Sequence, residues 1–229
     1  MAGLSSIASV GELGLRSRKK AKRRDEIIAA AAILFARQGI DQTSMADIAA
    51  AAGISIPTVF NYFGSKDGVL IALISDGTSD AREQDRDQHW REGADLGTLM
   101  VELYVRVSRR TLEIADKRLW RYAESAVIRH PTTELALQYQ GISDALVDVV
   151  AEFIDSLELR LRHGQVVSAP FMARLFQDVW MPCFLSFITH EEQSLAAHEV
   201  MLRERMLPLV DMLFDESCAK APQRKGKCA

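Results

Sequence analysis

The sequence predicts an all-α protein with a small helix-turn-helix head and a larger helical body. Residues 43–66 have the pattern of two short helices separated by a glycine turn, with a third helix opening straight afterwards. Beyond residue 95, apolar residues recur at helical spacing, and no stretch alternates as a half-buried strand would. The 229 residues are 48% hydrophobic, which is enough for a substantial core.

The stretch TSMADIAAAAGISIPTVFNYFGSK, residues 43–66, contains the start and stop signals of its short helices. Ser44 can cap the first of them, and Asp47 three residues later completes a capping-box pattern. Gly53 predicts the turn, because glycine enters the left-handed region without a Cβ penalty. Ser55 is placed to cap the second helix.

The second helix, residues 56–63, is predicted to present a polar face to its surroundings. Val59, Phe60 and Phe63 are expected on its packing side. A hydroxyl, an amide and a phenol then remain outward, and such groups hydrogen-bond phosphates and base edges. Lys66 follows in the first turn of the next helix, whose free N–H groups favour an anion. The residues predicted to face outward are Ile56, Pro57, Thr58, Asn61 and Tyr62.

The order GISIPTVFNYFGSKDGVL resembles the N-terminal DNA-binding domain of tetracycline-repressor-type (TetR) regulators, over roughly residues 22–73. The resemblance implies a repressor that releases double-stranded DNA when a small molecule binds the body. The chain departs from the commonest family pattern at Pro57, Phe60 and Asn61, although an outward amide could read adenine. The DNA contacts that the resemblance implies fall on Thr43, Ser44, Thr58, Tyr62 and Lys66.

Charge is distributed unevenly along the chain. Residues 1–70 carry a net charge of +3 and the remainder −6, giving −3 overall. This asymmetry indicates a nucleic-acid-binding end and an acidic body. The cluster of basic residues before residue 25 is either a solvated extension or an arm that contacts phosphates or the minor groove. We predict a disordered basic arm over 1–21, a DNA-binding domain over 22–73, a ligand-binding and dimerisation domain over 74–216, and a disordered tail over 217–229.

Other function classes find little support in the residues. No phosphate-cradling glycine motif, nucleophile elbow or paired-histidine helix motif occurs, so we expect no enzyme activity, no cofactor and no metal site. The three cysteines are widely spaced, which fits a reducing cytoplasm. The apolar run near residue 30 is too short to span a membrane. A constitutive architectural DNA-binder without a ligand remains the main alternative, and it predicts a body without a cavity.

The body is predicted to be a helical bundle that forms a symmetric homodimer. A linker helix should run from Ser65 toward Trp90, and a later helix should end at His163-Gly164. One short recognition helix contacts few base pairs, so useful specificity needs two half-sites. The apolar surface of 171–187 and the stripe from Leu195 to Leu213 offer the interface, and the resemblance implies that these two last helices pair between subunits.

The effector pocket is predicted where the linker helix meets the inner stripes of the body. Its candidate lining combines few polar groups with large apolar ones, which indicates an apolar or aromatic molecule held by one or two hydrogen bonds. Each of these residues could equally fill the core. They are Tyr104, Trp120, Tyr139, Phe176 and Trp180.

Overall fold

The computed structural model of the chain describes residues 5–85, 91–166 and 168–226, with side chains from residue 16 onward. These residues form ten α-helices and no β-sheet, which confirms the predicted fold class. The helices are α1 Ser5–Gln38, α2 Met45–Ala51, α3 Ile56–Phe63, α4 Lys66–Asp85, α5 Leu96–Ile114, α6 Lys117–Arg129, α7 Glu134–Asp155, α8 Ala169–Thr189, α9 Leu195–Leu213 and α10 Glu216–Lys220.

The helices group into two compact units, Met1–Ile74 and Ser75–Ala229, and α4 runs without a break across the division. The domain limit predicted after residue 73 falls next to this division. The predicted end of the linker helix at Trp90 lies outside the described residues, and α4 is described as far as Asp85.

In the first unit, α2 packs against both α1 and α3. The predicted capping box is present, because the Ser44 side chain accepts from Asp47 N at 3.1 Å and Asp47 Oδ2 accepts from Ser44 N at 2.8 Å. The turn between the helices has Gly53 at φ 64°, a conformation that residues with a Cβ rarely adopt. The predicted helix-turn-helix therefore forms, with Val59 of α3 fully buried in its core.

The start of α1 corrects the predicted disordered arm. The helix begins at Ser5, so residues 5–21 of the segment that we predicted to be disordered are helical. Lysine and arginine are good helix formers. Extending a helix whose later turns are anchored by buried residues such as Ile27 and Phe35 needs no new nucleus. The basic residues are therefore displayed along a helix.

The second unit is built around five helices that pack side by side. The closest neighbours are α5 with α9, α7 with α8, and α8 with both α9 and α6. Aromatic rings fill its centre: Trp180 stacks on Phe184 with centroids 4.7 Å apart, and Tyr104 stacks on Trp180 at 5.6 Å. These large apolar residues provide the main burial that stabilises the unit.

The C-terminal part of the chain is more ordered than we predicted. Helix α7 ends at Asp155 and not at His163-Gly164, and the following segment pairs with the end of the chain. Glu158 N donates to Gln223 O at 2.8 Å, and Lys225 N donates to Ser156 O at 2.9 Å. Residues 217–226 of the predicted disordered tail are therefore ordered, because their backbone forms hydrogen bonds with residues far away in sequence. The last three residues lie outside the described part of the chain.

A buried lysine connects α6 to the turn between α8 and α9. The Lys117 side chain is only 8% exposed, and its Nζ donates to His190 O at 2.9 Å, Glu191 O at 3.2 Å and Gln193 O at 2.7 Å. The ammonium also lies 4.2 Å from the ring centroid of Phe187. All three of its donors are used, and burial lowers the pKa of Lys117.

A second buried polar group joins α5, α8 and α9. His198 is fully buried, and its Nε2 lies 2.8 Å from Ser108 Oγ, which also accepts from Trp180 Nε1 at 3.1 Å and donates to Tyr104 O at 2.9 Å. Burial, with the charge of Lys117, lowers the pKa of His198 to about 4. The imidazole is therefore neutral at neutral pH.

This histidine should make the fold sensitive to acid. A folded-state pKa below the ordinary 6.5 means that stability is complete above 6.5 and is lost as pH falls from 6.5 toward 4. Between pH 7.5 and pH 5 the free energy of unfolding should drop by about 2 kcal/mol from this group alone. Urea unfolding at both pH values measures this decrease. The decrease of about 2 kcal/mol should be absent in His198→Gln and present in His163→Gln, the control at an exposed histidine. Equal acid sensitivity of the two variants would contradict the assignment.

Candidate nucleic-acid interface and candidate ligand cavity

The exposed face of α3 is less polar than the sequence suggested. Ile56 is 43% and Phe60 47% exposed, and Pro57 and Asn61 next to them are exposed as well. Placing Phe60 on the packing side was therefore wrong. The outward face consists of residues i, i+1, i+4 and i+5, which lie together on a helix. Its chemistry is three apolar side chains beside one amide.

Thr58 and Tyr62 lie at the edge of this face and are half-buried. The Thr58 hydroxyl lies 2.7 Å from Ser55 Oγ, so the two hydroxyls pair across the first turn of α3. The ring of Tyr62 lies 6.0 Å from that of Phe63, centroid to centroid. Ser55 is the N-cap residue, as predicted, but its side chain makes no capping bond to a backbone N–H.

The two residues before α2 differ in whether their side chains are exposed and can reach DNA. Thr43 is 2% exposed and its hydroxyl donates to Gly39 O at 2.7 Å, so the predicted DNA contact through this side chain does not fit the structure. Its hydroxyl ties the loop to the end of α1 instead. Ser44 is exposed, and its hydrogen bonds lower the pKa of Asp47. Ser44 therefore stays at the surface while capping α2.

Lys66 is half-buried at the start of α4. Its Nζ donates to Ile40 O at 2.5 Å, which ties the beginning of α4 to the loop after α1. An ammonium has three donors, so this bond leaves others for a phosphate. The exposed basic residues at positions 16–23 of α1 add positive charge to the same unit, and Arg24 lies over the Phe63 ring at 5.9 Å.

The second unit contains a cavity of about 760 Å³. Three of the five predicted ligand residues line it: Trp120, Tyr139 and Trp180. Tyr104 and Phe176 do not, because both are fully buried in the core. Residues 78–85 of α4 contribute to the wall, as do side chains of α5, α7 and α8.

Aromatic rings form the apolar part of the cavity wall. Phe184, which the sequence analysis had not assigned to a pocket, lies 6.0 Å from Trp120 and 4.7 Å from Trp180, centroid to centroid. Tyr139 meets Trp120 edge-on at 6.3 Å and donates its hydroxyl to Glu124 Oε1 at 2.6 Å. Burial raises the pKa of Glu124, and burial with the nearby Glu124 raises that of Tyr139.

The polar part of the wall was also missed from the sequence. It includes Gln177 of α8, Ser143 of α7, and the arginines Arg106 and Arg110 of α5. A glutamine at an inward position of an otherwise apolar helix is the signal that could have indicated it. Such a mixture of large apolar surface with few polar groups is typical of small-molecule sites.

The surface proposed for dimerisation needs a correction. Within α9, Leu202, Met206 and Val210 of the predicted stripe are buried inside the chain itself. Large apolar residues that remain exposed on the last two long helices are Phe171 of α8, and Val200 and Met212 of α9. The exposed apolar face of α9 is therefore rotated from the one predicted.

The described residues contain neither a candidate membrane span nor a candidate metal site. None of the described helices is long and apolar enough to cross a membrane. No group of three or more histidine, cysteine, aspartate or glutamate side chains stands close enough to hold a metal ion, as far as the described side chains go.

Comparison with known proteins points to one family. Residues 27–73 match the family described as bacterial regulatory proteins, tetR family. The HTH-type transcriptional regulator LuxR of Vibrio harveyi is 36% identical over 90 residues, which are 36% of this chain and 43% of LuxR, less than two thirds of that protein. The HTH-type transcriptional repressor Rv3405c of Mycobacterium tuberculosis is 26% identical over 195 residues, 81% of this chain and 93% of that protein.

The fold is shared with solved structures along most of the chain. FadR of Thermus thermophilus, a TetR-family transcriptional repressor solved in complex with lauroyl-CoA, superposes with a TM-score of 0.58 at 22% identity. The match covers 82% of this chain and 94% of FadR. At this identity the comparison shows the fold.

Proposed function

Since this chain belongs, through its N-terminal domain, to the TetR family of bacterial transcriptional regulators, we propose that it is a homodimeric repressor released from a palindromic operator by a small-molecule effector. The observation that carries the DNA-binding part is the exposed face of α3 in a helix-turn-helix unit matching the family. The observation that carries the effector part is the cavity in the second unit.

The α3 face suits A·T base pairs in the major groove. The Asn61 amide can bond adenine N6 and N7 together, which is the usual pairing of asparagine with a base. The exposed ring of Phe60 and side chain of Ile56 can contact the C5-methyl group of thymine. Thr58, Tyr62, Ser44 and Lys66 are left to position the head on the phosphates.

The effector would act through α4. Thr78, Ser79, Ala81 and Arg82 of this helix line the cavity, and the same helix continues into the first unit. A ligand shifts such an equilibrium only if it binds the DNA-free state more tightly than the DNA-bound state. A cavity whose wall includes α4 allows such a difference in affinity. The constitutive DNA-binder predicts a solid body, so the cavity favours the ligand-responsive form.

The DNA assignment is tested with duplexes selected from a random pool, measured by fluorescence anisotropy across salt. Asn61→Ala should relax the preference at one base pair, costing about 1–3 kcal/mol there. Lys66→Ala should weaken binding to all sequences alike and reduce the salt slope by about one unit. Lys220→Ala on α10 is the control and should leave both quantities unchanged. Unaltered binding by the two α3–α4 variants would refute the proposed interface.

A further inference from the structure

Gln177 places an unpartnered polar group on the wall of the cavity. The residue is 3% exposed, and its Oε1 has no hydrogen-bond partner among the described residues. Its Nε2 reaches only Ser143 Oγ, at 3.5 Å, and both residues line the cavity. Buried side-chain amides are normally paired, and an unpaired one destabilises a fold. A leucine would fill this position without that cost, so the amide calls for a bound partner.

Arg110 adds a second unpaired atom to the same wall. Its Nε is buried without a partner in the described part of the chain. Its terminal nitrogens are occupied, since one donates to Asp85 Oδ1 at 2.8 Å and the other to Glu113 Oε2 at 2.9 Å. The wall therefore contains an unpaired acceptor on Gln177 and an unpaired donor on Arg110, both covered by neighbouring atoms, so the terminal amide of Gln177 must turn toward the cavity to meet a ligand.

The charges around the cavity balance. Arg82, Arg106, Arg110 and Arg224 line it. The carboxylates Glu83, Asp85 and Glu152 line it too, and Glu113 pairs with Arg110 from outside the lining. The lining itself therefore holds four positive and three negative groups, and Glu113 offsets the fourth positive charge from outside the lining. An anionic head group would meet carboxylates as well as guanidinium groups, so the site does not call for a net charge on the ligand.

We propose that the effector is a neutral amphiphile: an apolar body lying against Trp120, Trp180 and Phe184, with a hydroxyl or amide group that donates to Gln177. This inference rests on the proposed effector role of the cavity and names the ligand class. Gln177 is then the residue that distinguishes such a molecule from a hydrocarbon of the same shape.

The test uses three ten-carbon probes that differ in the head group: decanamide, decanoate and nonyl methyl ether. Binding is followed by tryptophan emission, because Trp120 and Trp180 line the cavity. Decanamide should bind the wild-type protein about tenfold more tightly than the ether, which cannot donate, and more tightly than the anion. Gln177→Leu should bring decanamide to the level of the ether without lowering Tm, since leucine removes an unpaired buried amide.

Gln138→Leu is the matched control, because it repeats the glutamine-to-leucine change at an exposed position of α7. It should keep the preference for the amide. Equal binding of the three probes, tightest binding of decanoate, a preference that survives Gln177→Leu, or no change of emission with any probe would each overturn the proposal. Release of operator DNA is measured in the same titrations by anisotropy. Probe binding without release contradicts the proposed repressor mechanism and leaves the ligand class standing, so the two failures are distinguishable.

Discussion

Replacing Lys117 by methionine is expected to lower the free energy of unfolding by about 3 kcal/mol or more. The substitution keeps the apolar stem but removes the ammonium that binds three backbone carbonyls at the turn after α8. Each carbonyl that stays buried without a partner costs about 1–3 kcal/mol, and the contact with the Phe187 ring is lost as well. Lys117 itself is nearly closed to solvent, whereas His190 and Glu191 of the turn are exposed, so water replaces the lost bonds only in part.

Urea unfolding at neutral pH, followed by circular dichroism, measures this loss. Lys220→Met serves as the control, because Lys220 pairs with Glu216 on the exposed surface of α10 and such pairs contribute little. The control should change the free energy of unfolding by less than about 0.5 kcal/mol. A Lys117→Met protein as stable as the control would show that the three carbonyls do not depend on the lysine.

Introducing a charge at Val200 is expected to separate the proposed dimer and to weaken operator binding by about 100-fold or more. Val200 is an exposed apolar residue on α9, and a glutamate there would place two carboxylates near the twofold axis of a pairing through the last two long helices. A monomer engages one half-site, and losing the second, linked contact lowers affinity by about 10²–10⁴.

Sedimentation and anisotropy test this together. Wild-type protein should sediment at twice its 25.5 kDa mass at micromolar concentration, and Val200→Glu at the single mass. Leu137→Glu is the control, because Leu137 is a similarly exposed apolar residue on α7, outside the last two long helices. If Val200→Glu remains dimeric, or if the wild-type protein is a monomer, the assigned surface is wrong.

The first unit could be read from the sequence largely because its signals are local. The capping box at Ser44 and the glycine at position 53 each act within one turn of the chain, and both form as predicted. Phe60 was misplaced for a different reason. An eight-residue helix with apolar side chains on two faces has no unique inward side, and packing against α2 decides which face is buried.

The second unit depends more on contacts between distant residues. Helical periods predicted that it consists of helices. The end of α7 was missed because the segment after it pairs with residues more than 50 positions later, Phe214 and Arg224. Gln177 was missed because a polar residue in a mostly apolar helix, here between Arg174 and Asp178, does not show from sequence whether it faces solvent, a partner or a cavity.

The pairing of the C-terminal segment has a practical consequence for handling the protein. Arg224 belongs to the cavity wall, and the backbone around it binds the segment after α7. A chain shortened after Lys220 would leave these backbone groups without partners and would remove Arg224 from the cavity wall. An affinity tag fused to the last residue, or a protease that trims it, can disturb ligand binding without touching α3. Ligand measurements therefore require the intact chain, with mass spectrometry confirming that its C-terminus is complete.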